Sequence, residues 1–453
     1  MSWLTLAEIA DLLQAPLRGA DGPVAGVATD TRADTAGRLF FALRGPRFDA
    51  HELLPAQPDL PVAGLVVERP VDHPAPQIVV DDTRRALGRL AAAWRQRCPA
   101  RVIALTGSNG KTTVKEMLAA IFSRVGPTLA TVGNLNNDIG VPLTLLRLRP
   151  EHDWAVIEMG ANHPGEIAWL TDLARPDVAL VNNAGPAHLE GFGDLTGVAT
   201  AKAEIWAGLR GDGVAVINAD DAFAAYWQTL TEGRRRLRFG SAPEAEVRIV
   251  DFRPLRLALA GEVHEIPLRL AGRHNARNAA AAAATALAAG APVADIVAGL
   301  AAVEPVAGRL RRCAGVNGAT LIDDSYNANP ASLAAAIEVL AEAPGRRILV
   351  LGELAELGPA AGRHLADIGR HARAAGLDAL FTLGEGSRPA AEAFGSGAEH
   401  SDDLDGLLAR LRPQLDDRTV VLVKGSRAAR MERVVAALRA DGHEETEARH
   451  HAA

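Results

Sequence analysis

At 453 residues, 48% hydrophobic and 23% charged, the chain is globular in balance and too long for one ordinary core, so two or three domains of about 100–200 residues are expected. A net charge of -7 and a pI near 6.0 exclude a generally basic polynucleotide-binding surface and fit a small anionic ligand on a local basic patch. Cys98 and Cys313 lack metal or redox spacing, which argues against a disulfide scaffold or a zinc site and leaves two buried free thiols.

The opening MSWLTLAEIADLLQ reads as a short amphipathic helix, without the basic start and apolar run of a signal peptide. No window offers the roughly 20 apolar residues of a membrane span, so a cytosolic protein is expected. Short strands at 24–29, 39–43, 64–67 and 78–80 alternate with turns and predict a small α/β unit over residues 1–83. Asp30, Thr31 and Arg32 follow the first of these strands, and Leu43-Arg44-Gly45 closes the second. An arginine at a strand end suits a diphosphate, and a solvated turn explains it equally well.

The most informative stretch is Arg101 to Phe122, RVIALTGSNGKTTVKEMLAAIF. Its apolar start reads as a buried parallel strand, Gly107-Ser108-Asn109-Gly110-Lys111-Thr112-Thr113 as a loop, and the remainder as a helix from about Thr112. Backbone N–H groups in such a loop, with the helix N-terminus, form a nest for phosphate. Lys111 can reach the outer phosphates, and Thr112 can ligate Mg²⁺. The run departs from the general phosphate-loop pattern, because Leu105 stands where its first glycine belongs. A nucleoside triphosphate is the predicted ligand.

Farther on, TVGNLNNDIGVP crowds Asn134, Asn136, Asn137 and Asp138 into a loop before Pro142. A strand at 154–157 leads to Glu158, whose carboxylate at the C-terminal end of a parallel strand is a candidate Mg²⁺ ligand. The strand at 178–182 runs into AGPAHLEGFG with His188, and a helix over 197–209 carries Lys202 and Glu204. A hydrogen-bonding surface histidine and a solvated helix lysine explain these two residues when each stands alone. A strand at 214–217, antiparallel strands over 247–270 and an alanine-rich helix to 289 follow. Asn275 and Asn278, three apart, share a helix face and can read an adenine edge, while N-terminal capping competes for Asn275.

Beyond 312, strands at 320–322, 348–351, 379–383 and 420–423 alternate with helices after Pro330, over 364–375 and at the end. That alternation predicts an open parallel, Rossmann-like sheet with helices on both faces. Asp323 to Pro330, DDSYNANP, and Lys424-Gly425-Ser426-Arg427 fall at strand ends facing a ligand crevice. Residues 441–453 read as a frayed tail. The fold class is α/β in three domains: a small α/β domain at 1–83, a P-loop ATPase-like domain at 84–312 and a Rossmann-like domain at 313–453.

In order, TGSNGKT, NNDIGVP, EMGAN, AHLEGFG with AKAE, GRHNARNAA, GRL and DDSYNANP resemble the ATP-dependent Mur ligases of bacterial cell-wall synthesis, over about Val27 to Ala437. SNGKTTVKEM, GNLNNDIGVPLTLL, DDSYNANPAS and VLVKGSR look most like the members that join D-alanyl-D-alanine to UDP-N-acetylmuramoyl-tripeptide. The resemblance implies that ATP phosphorylates a carboxylate and that the dipeptide amine then attacks the acyl phosphate. It implies ATP binding by Gly107 to Thr113, with Lys111 on the outer phosphates, Thr112 and Glu158 on one Mg²⁺, and His188 helping to hold a second. Lys202 is implied as a CO₂-derived carbamate whose oxygens bind Mg²⁺. Asn275 and Asn278 would lie near adenine, and Arg309 would reach the phosphates. Asp324 and Asn329 would approach the nucleotide from the third domain.

By the same resemblance Asp30, Thr31 and Arg32 bind the UDP part in the first domain, while Lys424, Ser426 and Arg427 serve the dipeptide or the acyl intermediate. Lys111, Lys202, His188, Arg309 and Asp324 are the implied catalytic set. One departure is Glu353-Leu354-Ala355, where the family more often has Asp-Met-Leu. Other readings stay open: another amide ligase of the superfamily, such as a folate polyglutamating enzyme; a phosphate-loop kinase or ATPase; and an inactive nucleotide-binding protein. Glu158, His188 and Lys202 in that order favour the ligase, with small-molecule substrates, no nucleic acid and a monomer expected.

Overall fold

The computed structural model describes residues 4–45, 48–186 and 189–440; the tail predicted at 441–453 lies outside them. Among these residues three larger sheets form, of 5, 9 and 6 strands. The first runs Leu17–Arg18, Gln77–Val79, Gly64–Val67, Leu39–Phe41, Val27–Ala28. Against it packs the predicted N-terminal helix, Leu6–Leu13, whose Leu6, Ile9, Ala10 and Leu13 recur at helical spacing and are all buried. A reciprocal capping box between Thr5 and Glu8 starts this helix.

Helix Thr83–Arg97, capped by the Asp82 carboxylate on the Arg85 N–H, carries the chain into the central sheet. Its Leu87, Leu90, Ala91 and Trp94 share one apolar core with Leu6, Ile9 and Leu39 on one side and Val102, Ala104 and Ile157 on the other. The first and central units are therefore packed into continuous contact.

The central sheet runs Thr128–Ala130, Trp154–Glu158, Arg101–Thr106, Val178–Val181, Val214–Asn218, Arg235–Gly240, Val247–Phe252, Leu255–Leu259, Glu262–Ile266. Pairing is parallel as far as Val247–Phe252 and antiparallel in the last two pairs. Strand Arg101–Thr106 alternates faces: Val102 and Ala104 enter the core shared with the first unit, while Ile103 and Leu105 meet a second core. Burial on both faces explains its unbroken apolar run. The second core is closed by helix Lys111–Val125 against Arg273–Ala288 and Val293–Ala302. Ala279 to Ala284 are fully buried there, and small side chains let the helices approach closely. Gly299 shows how closely, since a Cβ on it would lie 2.6 Å from the Ile121 Cα.

Strand Arg101–Thr106 lies between Trp154–Glu158 and Val178–Val181, so the connections leave it toward opposite edges of the sheet. Such a reversal opens a crevice at the C-terminal strand ends. Leu105 is paired in register with Glu158, and Thr106 with Val181, which sets the loop after Thr106 beside both neighbouring strand ends.

The helix expected over 197–209 is shorter, Leu195–Ala203 followed by a 3-10 turn at Glu204–Trp206. The Asp194 side chain accepts from the Gly197 N–H and starts it early. The Trp206 indole N–H, donating to the Ala179 carbonyl at 3.0 Å, draws the chain back onto the sheet.

The third sheet runs Arg311–Ala314, Thr320–Asp324, Thr419–Lys424, Arg346–Gly352, Ala379–Leu383, Ala398–Ser401, parallel except for its first pair. Its four inner strands are buried between two apolar clusters, as the alternation predicts. Asp324 and Lys424 are register partners at the C-terminal ends of adjacent strands. Cys98 is buried as expected, but Cys313, on the edge strand Arg311–Ala314, is only half-buried.

Candidate active site

The C-terminal ends of the central and third sheets face one another across a cavity of about 1920 Å³. On its central wall the loop Gly107–Gly110 is gripped by the two asparagines that follow the next strand. The Asn183 carbonyl accepts from the Ser108 N–H at 3.1 Å, and its Oδ1 accepts from the Asn109 N–H at 2.9 Å. The Asn109 carbonyl in turn accepts from the Asn182 and Asn183 side-chain amides, at 2.9 and 3.0 Å. Gly110, at φ +79, then turns the chain into helix Lys111–Val125. Lys111 Nζ arches back to donate to the Gly107 carbonyl at 2.8 Å. Desolvation pushes its pKa below the ordinary lysine value, and the nearby Arg309 charge adds to this against the pull of Glu158.

Asn275 and Asn278 line the same cavity, and their amides form a chain. Asn182 Nδ2 donates to Asn278 Oδ1 at 3.0 Å, Asn278 Nδ2 to Asn275 Oδ1 at 3.2 Å, and Asn275 Nδ2 to the Ala271 carbonyl at 2.8 Å. The face expected to read adenine is thus tied through Asn182 to the loop expected to hold phosphate. Asn182 spends both N–H groups of its amide, whereas Asn275 and Asn278 each use one and keep one to donate.

Glu158 is 1% exposed; its Oε1 accepts from Asn136 Nδ2 at 2.7 Å, while its buried Oε2 has no hydrogen-bond partner among the described residues. A buried carboxylate oxygen left bare is costly, and a cation in the cavity would satisfy it. Thr112 lines the same cavity with its hydroxyl accepting from Arg309 Nη2 at 3.0 Å. One hydroxyl and one carboxylate fit Mg²⁺, which keeps waters and phosphate oxygens in its remaining positions.

From the third wall, Arg309 lies between two backbone anchors: Tyr326 N–H donates to the Gly308 carbonyl at 3.2 Å, and Leu310 N–H to Asp324 Oδ1 at 3.2 Å. Asn329 uses its oxygen to cap helix Pro330–Ala341 and its Nδ2 to donate to Asn109 Oδ1 at 2.8 Å. The segment that follows strand Thr320–Asp324 therefore touches the phosphate loop directly.

Residues 105–286 match the Mur ligase middle domain and residues 308–427 the Mur ligase, glutamate ligase domain. Over 452 residues the chain is 48% identical to the UDP-N-acetylmuramoyl-tripeptide--D-alanyl-D-alanine ligase of Escherichia coli (strain K12), covering 97% of this chain and 99% of that one. The chain belongs to the Mur ligase family. The corresponding Haemophilus influenzae ligase is 41% identical, covering 96% and 98%. A crystal structure of MurF from Acinetobacter baumannii matches with a TM-score of 0.89 at 36% identity, over 95% of this chain and 97% of that one. MurF ligase from Thermotoga maritima in complex with ADP matches with a TM-score of 0.81 at 27% identity, over 90% and 96%.

In this Mur ligase the crevice gathers Ser108 to Thr113, Glu158, Asn275, Asn278, Arg309, Asp324 and Asn329. Gly107 sits just behind, where a Cβ would lie 3.0 Å from that of Asn182. His188 lies outside the described residues. Lys202 is 1% exposed and set back from the crevice lining, with its Nζ 5.3 Å above the Phe192 ring. Its pKa falls to about 7, chiefly by burial, with the Lys111 charge adding and Glu166 and Glu204 opposing. Glu204 caps the neighbouring turn, accepting from the Gly165 and Ala168 N–H groups at 2.7 and 3.0 Å.

Asp30, Thr31 and Arg32 are not brought into this crevice; Asp30 instead pairs with Arg32 at 2.7 Å on the surface. Lys424, Ser426 and Arg427 do line it, but Lys424 Nζ is engaged by Asp324 at 2.6 Å and by the Asn327 carbonyl at 3.0 Å. Burial raises the Asp324 pKa while Lys424 pulls it down. Glu353, where the family pattern departs, ties its carbonyl to the Ser426 N–H at 2.9 Å. Asn182, Asn183, Asn136 and Tyr326 were missed as site residues. The one sequence signal for them was polar residues just past a strand or within a motif.

Proposed function

We propose that this Mur ligase joins D-alanyl-D-alanine to the terminal carboxylate of UDP-N-acetylmuramoyl-tripeptide, forming ADP and phosphate in the cytoplasmic stage of peptidoglycan synthesis. Near full-length identity to ligases of that name supports the choice of substrates. The observation that carries the chemistry is the meeting of Arg309 with Thr112 across the crevice, beside the bare oxygen of Glu158.

In the first step a carboxylate oxygen attacks the γ-phosphorus, the bond to the β–γ bridging oxygen breaks, and ADP leaves. Lys111 and Arg309 neutralise charge on the transferring group, while N–H groups of the first turn of helix Lys111–Val125 hold it in line. Thr112 and Glu158 would hold Mg²⁺, which supplies further charge neutralisation when bound. In the second step the dipeptide amine attacks the acyl carbon, loses a proton, and expels phosphate. Asn329, which links the third unit to the loop, would help close the crevice against water that hydrolyses the acyl phosphate.

Lys202 acts as a carbamate: near neutral pH its lowered pKa leaves a fraction uncharged, the form whose nitrogen can add to CO₂. His188 would help hold a second Mg²⁺, and Asn275 and Asn278 would hold adenine. The UDP part lies on the first domain near Asp30, Thr31 and Arg32. Asp324 approaches the nucleotide, and Ser426 and Arg427 serve the dipeptide. The domains divide near residues 83 and 312, and the enzyme works as a monomer. No helix among the described residues is long and apolar enough to cross a membrane.

Trapping tests the scheme. With MgATP and the tripeptide nucleotide but no dipeptide, hydroxylamine should yield a hydroxamate at the tripeptide terminus with equimolar ADP. ADP formed equally without the tripeptide nucleotide, and no hydroxamate, would overturn it.

A further inference from the structure

Arg309 reaches Thr112 from a backbone that the third sheet holds in place, and one side chain of that sheet meets it directly. The Arg309 guanidinium carbon lies 4.6 Å from the centre of the Tyr326 ring. A second guanidinium, that of Arg427, lies over the same ring at 5.7 Å. Tyr326 and both arginines line the crevice. The backbone that carries the ring is fixed from several directions. Tyr326 N–H donates to the Gly308 carbonyl, and a Cβ on Gly308 would lie 3.0 Å from the Tyr326 Cβ, so the glycine permits this approach. On the following residue, Asn327 Oδ1 accepts from the Arg427 N–H at 3.2 Å and the carbonyl accepts from Lys424 Nζ at 3.0 Å.

Two guanidiniums at one crevice repel each other, and the negative face of an aromatic ring offsets that repulsion while fixing both planes. We propose that Tyr326 is a positioning residue, whose ring holds Arg309 against the Thr112 end of the phosphate loop and couples it to Arg427 on the third-domain side. It rests on the ATP-dependent ligase reading of the crevice. Tyr326 acts through Arg309 and touches no reacting atom, and what the role requires is the ring.

Steady-state kinetics on the full-length enzyme, with MgATP, the tripeptide nucleotide and the dipeptide, tests the proposal. Wild-type ligation tests the underlying reading separately, before any variant is compared. Tyr326→Leu should lower kcat by about 2- to 30-fold, the range for loss of a cation–π contact, with KM for ATP changed less. Tyr326→Phe and Tyr326→Trp should keep kcat within about twofold of wild type. In an Arg309→Ala background, Tyr326→Leu should have little further effect. Unaltered kcat in Tyr326→Leu would overturn the proposal, as would an equal loss in Tyr326→Phe or an undiminished effect in the Arg309→Ala background. Should Tyr326→Leu fail to fold, Tyr326→Phe and Tyr326→Trp still decide whether the ring suffices.

Discussion

Replacing Gly110 by alanine places two separate strains on the phosphate loop. The backbone there stands at φ +79, which costs a residue with a side chain about 1–2 kcal/mol. The new Cβ would also lie 2.4 Å from Asn278 Oδ1 and 2.8 Å from Asn182 Nδ2. Relieving that overlap moves both amides, breaking the 3.0 Å bond between them and the 2.9 Å bond from Asn182 to the Asn109 carbonyl. At about 1 kcal/mol each, these bring the total to roughly 3–4 kcal/mol. Borne by the loop conformation that receives phosphate, this should lower kcat/KM for ATP by at least about 100-fold, and ADP affinity similarly. Gly193→Ala isolates the backbone contribution, because Gly193 has the same φ, +79, with nothing among the described residues within 4 Å of its Cβ position. It should cost folding stability alone and leave ADP affinity within about threefold of wild type. Calorimetric titration of ADP into each variant decides the matter. A Gly110→Ala enzyme that bound ADP as tightly as Gly193→Ala would refute the coupling of loop and asparagine chain.

Three further outcomes follow from the same geometry. Lys424→Met should strand the buried Asp324 carboxylate and destabilise the protein by about 3–5 kcal/mol in urea titrations, with Asp324→Asn in the same chain restoring much of the loss. Glu158→Gln should raise the Mg²⁺ needed for half-maximal activity by about tenfold or more, checked by titrating Mg²⁺ at saturating ATP. The His274 pKa is lowered from 6.5 to about 4, by desolvation first and then by the Lys424 and Arg277 charges. Between those values the unfolded chain binds more protons, so acidification across that window should remove stability, by at most about 1.4 kcal/mol per pH unit. His274→Gln should flatten that part of the pH profile of urea unfolding, and an unchanged slope would contradict the assignment.

The parts of the site legible in the sequence were those with a local cause. Gly107 to Thr113 stood out because glycines interrupted an apolar strand just before a helix, and Glu158 because a carboxylate closed another apolar run. Strand Arg235–Gly240 was hidden because Arg235, Arg236 and Arg238 break the apolar pattern near the edge of the parallel part of the sheet. Lys424 read as serving the dipeptide or the acyl intermediate, yet its register with Asp324, one hundred residues away, gives it a buried partner. Asn182 and Tyr326 carry little local signal, since their roles arise from loops and sheets that meet only in three dimensions. For Lys202 the sequence placed the residue on a helix but could not give the burial that lowers its pKa to about 7. Asp30 and Arg32 were legible as strand-end charges, and their mutual pairing at the surface was not.

The most direct measurement supplies MgATP, UDP-N-acetylmuramoyl-tripeptide and D-alanyl-D-alanine together and follows phosphate and the nucleotide-linked pentapeptide in the same sample. One phosphate should appear for each pentapeptide formed, and both rates should fall together, strongly but measurably, when Arg309 is alanine. Phosphate released at the same rate without the pentapeptide product would contradict the assignment as a ligase and leave a phosphate-loop ATPase.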